Sequence, residues 1–230
     1  MKKITILLFL TLFGIQSQSV FAQSHEFAMI DAYADQNKEL GEPKKGEKRV
    51  VFMGNSITFN WAWTRGDFFK NNGLIGRGIS GQTSYQFLLR FRQDVINLKP
   101  RVVVINYGTN DIAENTGSYS EDHTFNNIKA MCDLARYHKI KVVLASTLPH
   151  KGFGWNPNIK DAMQKIKSLN ARVKAYAKEN KITYVDYFSA MVNDEGTAMR
   201  SDLSEDGVHP NSKGYEIMEA IILPVVNKLR

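Results

Sequence analysis

Residues Arg49 to Phe59 read RVVFMGNSITF, and the fold turns on how they are understood. Val50, Val51, Phe52 and Met53 form a short apolar run rich in β-formers, which predicts a buried strand. Gly54 and Asn55 break it, Ser56 follows at once, and Ile57 onward starts a helical pattern. A serine on a tight turn between strand and helix stands clear of the backbone with its hydroxyl at the sheet end. The helix N-terminus behind it favours developing negative charge. That is the layout of a nucleophile elbow, although not of the GxSxG kind, because Thr58 stands where the second glycine would be. The competing reading of Ser56 is an N-cap.

Working outward, apolar runs and helical periodicities alternate. Glu26 to Leu40 has helical spacing through Phe27, Ile30, Tyr33 and Leu40, and Gly41 to Lys48 is a polar linker. After the helix from Ile57, broken near Asn72-Gly73, a second strand spans Leu74 to Gly78, and Ile79 to Thr83 is a loop. Ser84 is placed to cap a helix with Leu88, Phe91, Val95 and Leu98 on one face, ended by Pro100. Val102 to Tyr107 is the clearest strand, continuous and β-branched, and Gly108 to Asp111 is a turn. A long helix through Phe125, Ile128, Met131 and Leu134 leads to strand four, Val142 to Ala145. A loop over Thr147 to Asn158, a helix through Met163, Ile166, Leu169 and Val173, and strand five at Ile182 to Val185 follow. Asn193 to Asn211 is a long polar loop, and the last helix starts near Ser212, with Pro224 expected to kink or end it. Five strands alternating with helices, with no hairpin signal, predict an α/β fold: a five-stranded parallel sheet covered by helices on both faces in three α/β/α layers.

The chain has 230 residues, 43% hydrophobic and 23% charged, with a net charge of +7, an ordinary globular balance. Lys2 and Lys3, the apolar stretch Ile4 to Ile15 and the small residues Val20 and Ala22 read as a secretory signal peptide over 1–22. A secreted or periplasmic protein without a membrane span after cleavage is expected. Residues 23–48 then form an N-terminal helix and linker, and 49–230 the catalytic domain. Cys132 is the single cysteine, on an apolar helical position, so no disulfide and no cysteine-based zinc site are expected. No cluster has helix-face ligand spacing such as HExxH, and neither a metal nor a cofactor is expected. The basic run Lys44 to Arg49 reads as a solvated linker. It lacks the interleaved aromatics of a nucleic-acid patch, and no nucleic-acid partner is expected.

In open parallel sheets ligands bind beyond the carboxyl ends of the strands. After strand one comes Ser56, after strand two Gly81, after strand three Asn110, and beyond strand five Asp206 and His209. His209 can take the Ser56 proton. Asp206 lies three residues earlier in DGVHP, where Gly207 permits a sharp turn and Pro210 holds His209 extended. At that spacing the carboxylate can fold back onto Nδ1 and leave Nε2 for the serine. The backbone N–H groups of Ser56 and Gly81 and the amide of Asn110 can serve as oxyanion donors. Gly81 and Asn110 are also ordinary turn residues. Asp206 can also be read as a cap of the last helix. His25, His123, His138 and His150 compete with His209, and His150 is the strongest rival because it follows strand four.

With these blocks in view, the chain resembles the SGNH hydrolases, also called GDSL-type esterases. The four name residues fall in order: Ser56 in GNSIT, Gly81 in GISGQT, Asn110 in YGTND, and His209 with Asp206 in DGVHP. The match runs from about Val50 to Leu229. Asn55 departs from the pattern, since the motif has aspartate there. The resemblance implies a flavodoxin-like three-layer fold and metal-free ester hydrolysis, often of acetyl groups on sugars. A small-molecule or glycan ester is the substrate expected on that basis. Neither loop that rims the site offers the contiguous apolar lining a long acyl chain needs. Phe153, Trp155 and Arg200 are the substrate-binding candidates, with Trp155 either stacking on a sugar or anchoring its loop. A lysophospholipase or thioesterase, an acyltransferase and a non-catalytic glycan binder are the alternatives.

Overall fold

A computed structural model describes residues 27–230. The leader at 1–22 and His25 lie outside the described residues. Five parallel strands form one sheet in the order β2-β1-β3-β4-β5. They are β1 (Val50–Gly54), β2 (Leu74–Gly78), β3 (Val102–Asn106), β4 (Lys141–Ala145) and β5 (Thr183–Val185). Each falls within a residue or two of its predicted bounds. The order reverses between β1 and β3, and such a reversal opens a crevice at the strands' carboxyl ends.

Side chains alternate across the pleat, so the apolar strands divide two cores between them. Val51, Met53, Val103, Ile105 and Leu144 face a core shared with Phe87, Phe91, Ile128, Met131, Ile166 and Leu169. Val50, Phe52, Val102, Val104 and Val143 face the other, packed by Trp61, Phe69, Tyr187, Tyr215, Met218 and Ile222. Buried Cys132 belongs to the first core. Among the described residues no helix is long and apolar enough to cross a membrane.

Several expectations are corrected. The helix predicted from Glu26 is interrupted: Met29 has φ 48, and regular structure resumes as α1 (Ala34–Leu40). Arg49 is not solvated. It is buried, with its guanidinium donating to the carbonyls of Leu40 (3.0 Å), Gly41 (2.7 Å) and Leu98 (3.2 Å) and pairing with Glu47 (2.7 Å). The segment read as a polar linker is thereby tied to the sheet. Gly108 to Asp111, predicted as a turn, includes the start of a single helical turn, Thr109–Ile112. The last helix, Ser212–Leu229, continues through Pro224. Met218, Ile222 and Val226, four residues apart, bury one stripe across the proline. Side-chain burial on both sides outweighs the one hydrogen bond the proline removes.

One polar cluster sits inside this apolar frame. Arg90, on the helix Ser84–Asp94, and Asp94 have fully buried side chains. Arg90 donates to Asp94 Oδ2 (2.9 Å), Gln82 Oε1 (2.6 Å) and the Gly54 carbonyl (3.0 Å). It therefore ties the end of β1 to the loop after β2. Arg90→Ala leaves Asp94 buried without its ion-pair partner, with only the Asn37 amide (2.9 Å) still donating to it, and is expected to cost about 3–5 kcal/mol of stability, measured by denaturant unfolding.

Candidate active site

Ser56 is set by the junction on either side of it. Asn55, not Ser56, caps the helix α2 (Ser56–Thr64), its Oδ1 accepting from Ile57 N at 3.0 Å. The Ser56 hydroxyl is thus not spent on capping. Behind it the strand β2 lies against the first turn of α2: a Cβ on Gly78 would come within 2.3 Å of Phe59 N and 2.6 Å of the Asn55 carbonyl. Only glycine permits that approach.

The Ser56 Oγ lies 2.8 Å from His209 Nε2, and His209 Nδ1 lies 2.6 Å from Asp206 Oδ2. Asp206 Oδ1 also accepts from Ser204 Oγ (3.1 Å), Val208 N (2.8 Å) and His209 N (2.7 Å). Gly207, at φ 76, turns the chain between them. Partial burial pushes the Asp206 carboxyl up, but the hydrogen bonds from His209 and Val208 outweigh it and hold the group well below the usual carboxylate range. An ionised carboxylate can only accept. His209 Nδ1 therefore carries the proton, and Nε2 is left to accept from the serine. Asp206 does not cap the last helix; Asn211 does.

Gly81, Asn110, Ser56 and His209 line one open pocket of about 400 Å³, together with Asn60, Ser80, Asn115 and Trp155. Asn110 Nδ2 donates one hydrogen to the Gln82 carbonyl (2.9 Å). Its neighbour Asp111 is buried, which pushes its carboxyl up, and accepts from Ser84 N (3.1 Å), Ser84 Oγ and Thr124 Oγ1 (3.2 Å). Ser84 is thus not the helix cap. Thr83 is, in a capping box with Gln86. A larger cleft of about 720 Å³ lies by Arg49 and the start of β2, away from these converging groups.

The substrate-binding candidates part company. Trp155 lines the pocket, 48% exposed, its indole N–H donating to Asn115 Oδ1 (2.9 Å). Phe153 is buried behind it, ring centroids 5.2 Å apart, and does not line the pocket. Arg200 pairs with Asp202 (3.3 Å) and is not brought to the pocket. His150 is fully buried with Nε2 3.2 Å from Thr109 Oγ1, and burial pushes it down to about 4. His123 meets Tyr85 on the surface (3.1 Å), and His138 packs on Tyr137. Three pocket residues escaped the sequence reading: Ser80, next to Gly81, and Asn60 and Asn115. Asn60 follows Ser56 by four positions and so shares its helix face, a signal available in the sequence. Asn115 holds Trp155 and, through Nδ2, the Gly81 carbonyl (2.9 Å); no spacing rule marks it.

The profile of the GDSL-like lipase/acylhydrolase family matches residues 52–217. The chain belongs to that family. Among proteins of known structure, a Bacteroides fragilis protein provisionally assigned as an acylhydrolase is 62% identical, with a TM-score of 0.87 over 89% of this chain and 99% of its own. A GDSL-like lipase from Bacteroides thetaiotaomicron is 60% identical, with a TM-score of 0.86 over 88% and 98%. An acetylxylan esterase from Xylanibacter ruminicola is 26% identical over 82% of this chain and 45% of its own length. The chain spans about half the length of the curated relatives it matches.

Proposed function

We propose that this GDSL-like protein is an exported serine esterase that removes short acyl groups, principally acetyl, from carbohydrates. One observation carries the reading: the Ser56–His209–Asp206 relay, at 2.8 and 2.6 Å, opens onto a pocket lined by amides and small residues. Ser56 Oγ attacks the ester carbonyl carbon as its proton passes to His209 Nε2, and Asp206 stabilises the imidazolium. The tetrahedral oxyanion takes hydrogen bonds from the Ser56 and Gly81 N–H groups and from the second amide hydrogen of Asn110. Collapse expels the alcohol, which leaves with the proton from His209. Water, activated by the same histidine, then attacks the acyl-enzyme carbonyl and releases the acid and free Ser56.

The acyl preference rests on the lining. Besides Trp155, the pocket offers serine, glycine, asparagine and histidine side chains, a poor bed for a long alkyl chain. The acetylxylan esterase among the relatives supports a sugar alcohol, and the charged leader with its small-residue cleavage pattern supports export. A p-nitrophenyl ester series should peak at acetate and decline towards decanoate, and acetylated glycans should be cleaved. A maximum at eight carbons or longer would favour a lysophospholipase-like activity instead. Efficient acetate cleavage without action on any acetylated glycan would remove the carbohydrate part.

A further inference from the structure

The helix that begins at Ser56 carries a second feature outside the pocket. At 100° per residue, Ser56, Phe59, Asn60 and Trp63 fall on one stripe about 100° wide. The opposite stripe, Ile57, Thr58 and Trp61, is buried in the core. Phe59 and Trp63 are not. They are 41% and 80% exposed, with ring centroids 6.4 Å apart and planes within 8° of parallel. Asn60, between them and the serine, lines the pocket. Single exposed apolar residues need no explanation, but two aromatics held parallel on the stripe that leads through Asn60 into the pocket do.

We propose that Phe59 and Trp63 form a stacking platform for the backbone of a polymeric glycan whose ester group lies at Ser56. The proposal rests on the carbohydrate reading above and extends it from a single sugar to a chain. Seven residues at 1.5 Å rise put Trp63 roughly 10 Å along the axis from Ser56, a reach of neighbouring sugar units rather than of the esterified one. A pyranose presents an apolar C–H face, and aromatic rings present a negative π-face that attracts it. Two exposed rings with nearly parallel planes, Trp63 the more open of the two, offer apolar surface to an extended sugar chain. Asn60 supplies an amide between platform and nucleophile, and Trp155 stands within the pocket itself. A second copy seating the same two rings would bury roughly 600–1,000 Å² over both partners, at most the threshold of a stable interface, so the oligomeric state is one arm of the test.

The test compares kcat/KM on acetylated xylan or acetylated glucomannan with kcat/KM on p-nitrophenyl acetate, in wild type, Trp63→Ala, Trp63→Phe and Phe59→Ala. The polymer-to-small-ester ratio should fall by about tenfold or more in Trp63→Ala, mainly through KM, and be largely kept in Trp63→Phe. Retardation in a gel containing deacetylated polymer should weaken in parallel. A ratio within twofold of wild type in Trp63→Ala overturns the platform while leaving the carbohydrate esterase standing. A wild type that cleaves p-nitrophenyl acetate but neither glycan overturns the carbohydrate reading and the platform with it. A wild-type dimer in sedimentation velocity that Trp63→Ala dissociates also overturns it, since the face would then be covered by a second copy.

Discussion

Ser56→Ala is expected to lower the turnover of p-nitrophenyl acetate by about a million-fold while leaving the unfolding midpoint in place. The size follows from the mechanism: without Oγ there is no acyl-enzyme, and only the oxyanion donors and substrate binding remain. The fold should tolerate the change because Asn55 caps the helix, and the hydroxyl's contact is with His209. A fluorophosphonate probe should label the wild type and not the variant. A variant that kept more than about a tenth of the wild-type rate would exclude Ser56 as nucleophile, whereas a wild type that neither hydrolyses esters nor takes the probe would favour a non-catalytic, glycan-holding role.

The second large effect concerns the base. His209→Ala should cost about as much as Ser56→Ala, and Asp206→Asn about ten-thousand-fold, because an asparagine amide donating to Nδ1 leaves the proton on the wrong nitrogen. The wild-type rate should rise with pH through one ionisation, since only the neutral imidazole accepts the serine proton. The other groups near it stay out of that titration. The Asp206 carboxyl is held well below the usual range and remains ionised, and His150, pushed down to about 4 by burial, is already neutral. A pH–rate profile and the three variants check this. An Asp206→Asn enzyme within tenfold of wild type would mean that the carboxylate neither orients nor stabilises the imidazole.

The sheet is legible in the sequence because four of the strands are short runs rich in β-formers and bounded by turn residues, while β2, LIGRG, is marked mainly by its place between helices; the parallel order follows from the helices between the runs. The residues beyond the strand ends are legible for the same reason: once five parallel strands are placed, Ser56, Gly81 and Asn110 must emerge at one edge. Asp206 and His209 were harder, being carried by a long loop, and only the DGVHP spacing marks them. What the sequence hides is what non-local contacts decide. Arg49 reads as part of a basic surface run, yet carbonyls of Leu40, Gly41 and Leu98 draw it inside. Ser84 reads as a cap, but the buried Asp111 carboxylate claims both its N–H and its hydroxyl. Arg200 shares a loop with Asp206, but its side chain pairs with Asp202. Asn115 is brought in by a turn closed on Asn110, its N–H on that carbonyl at 3.1 Å.

The turn from Ser204 to Pro210 holds Asp206 and His209 in one piece. Its ends are bridged to each other, and Asp206 grips the Val208 and His209 amides as well as the imidazole. The two groups therefore share one set of rigid-body coordinates. If an incoming ester pushes this segment aside, the proton on Nδ1 and its counter-ion travel together. Within the relay, the distance that changes is the 2.8 Å gap to Ser56. Docking strain within the relay then falls on that gap, so remodelling the loop's neighbours should alter how often the serine is engaged while the Asp206–His209 contact stays intact.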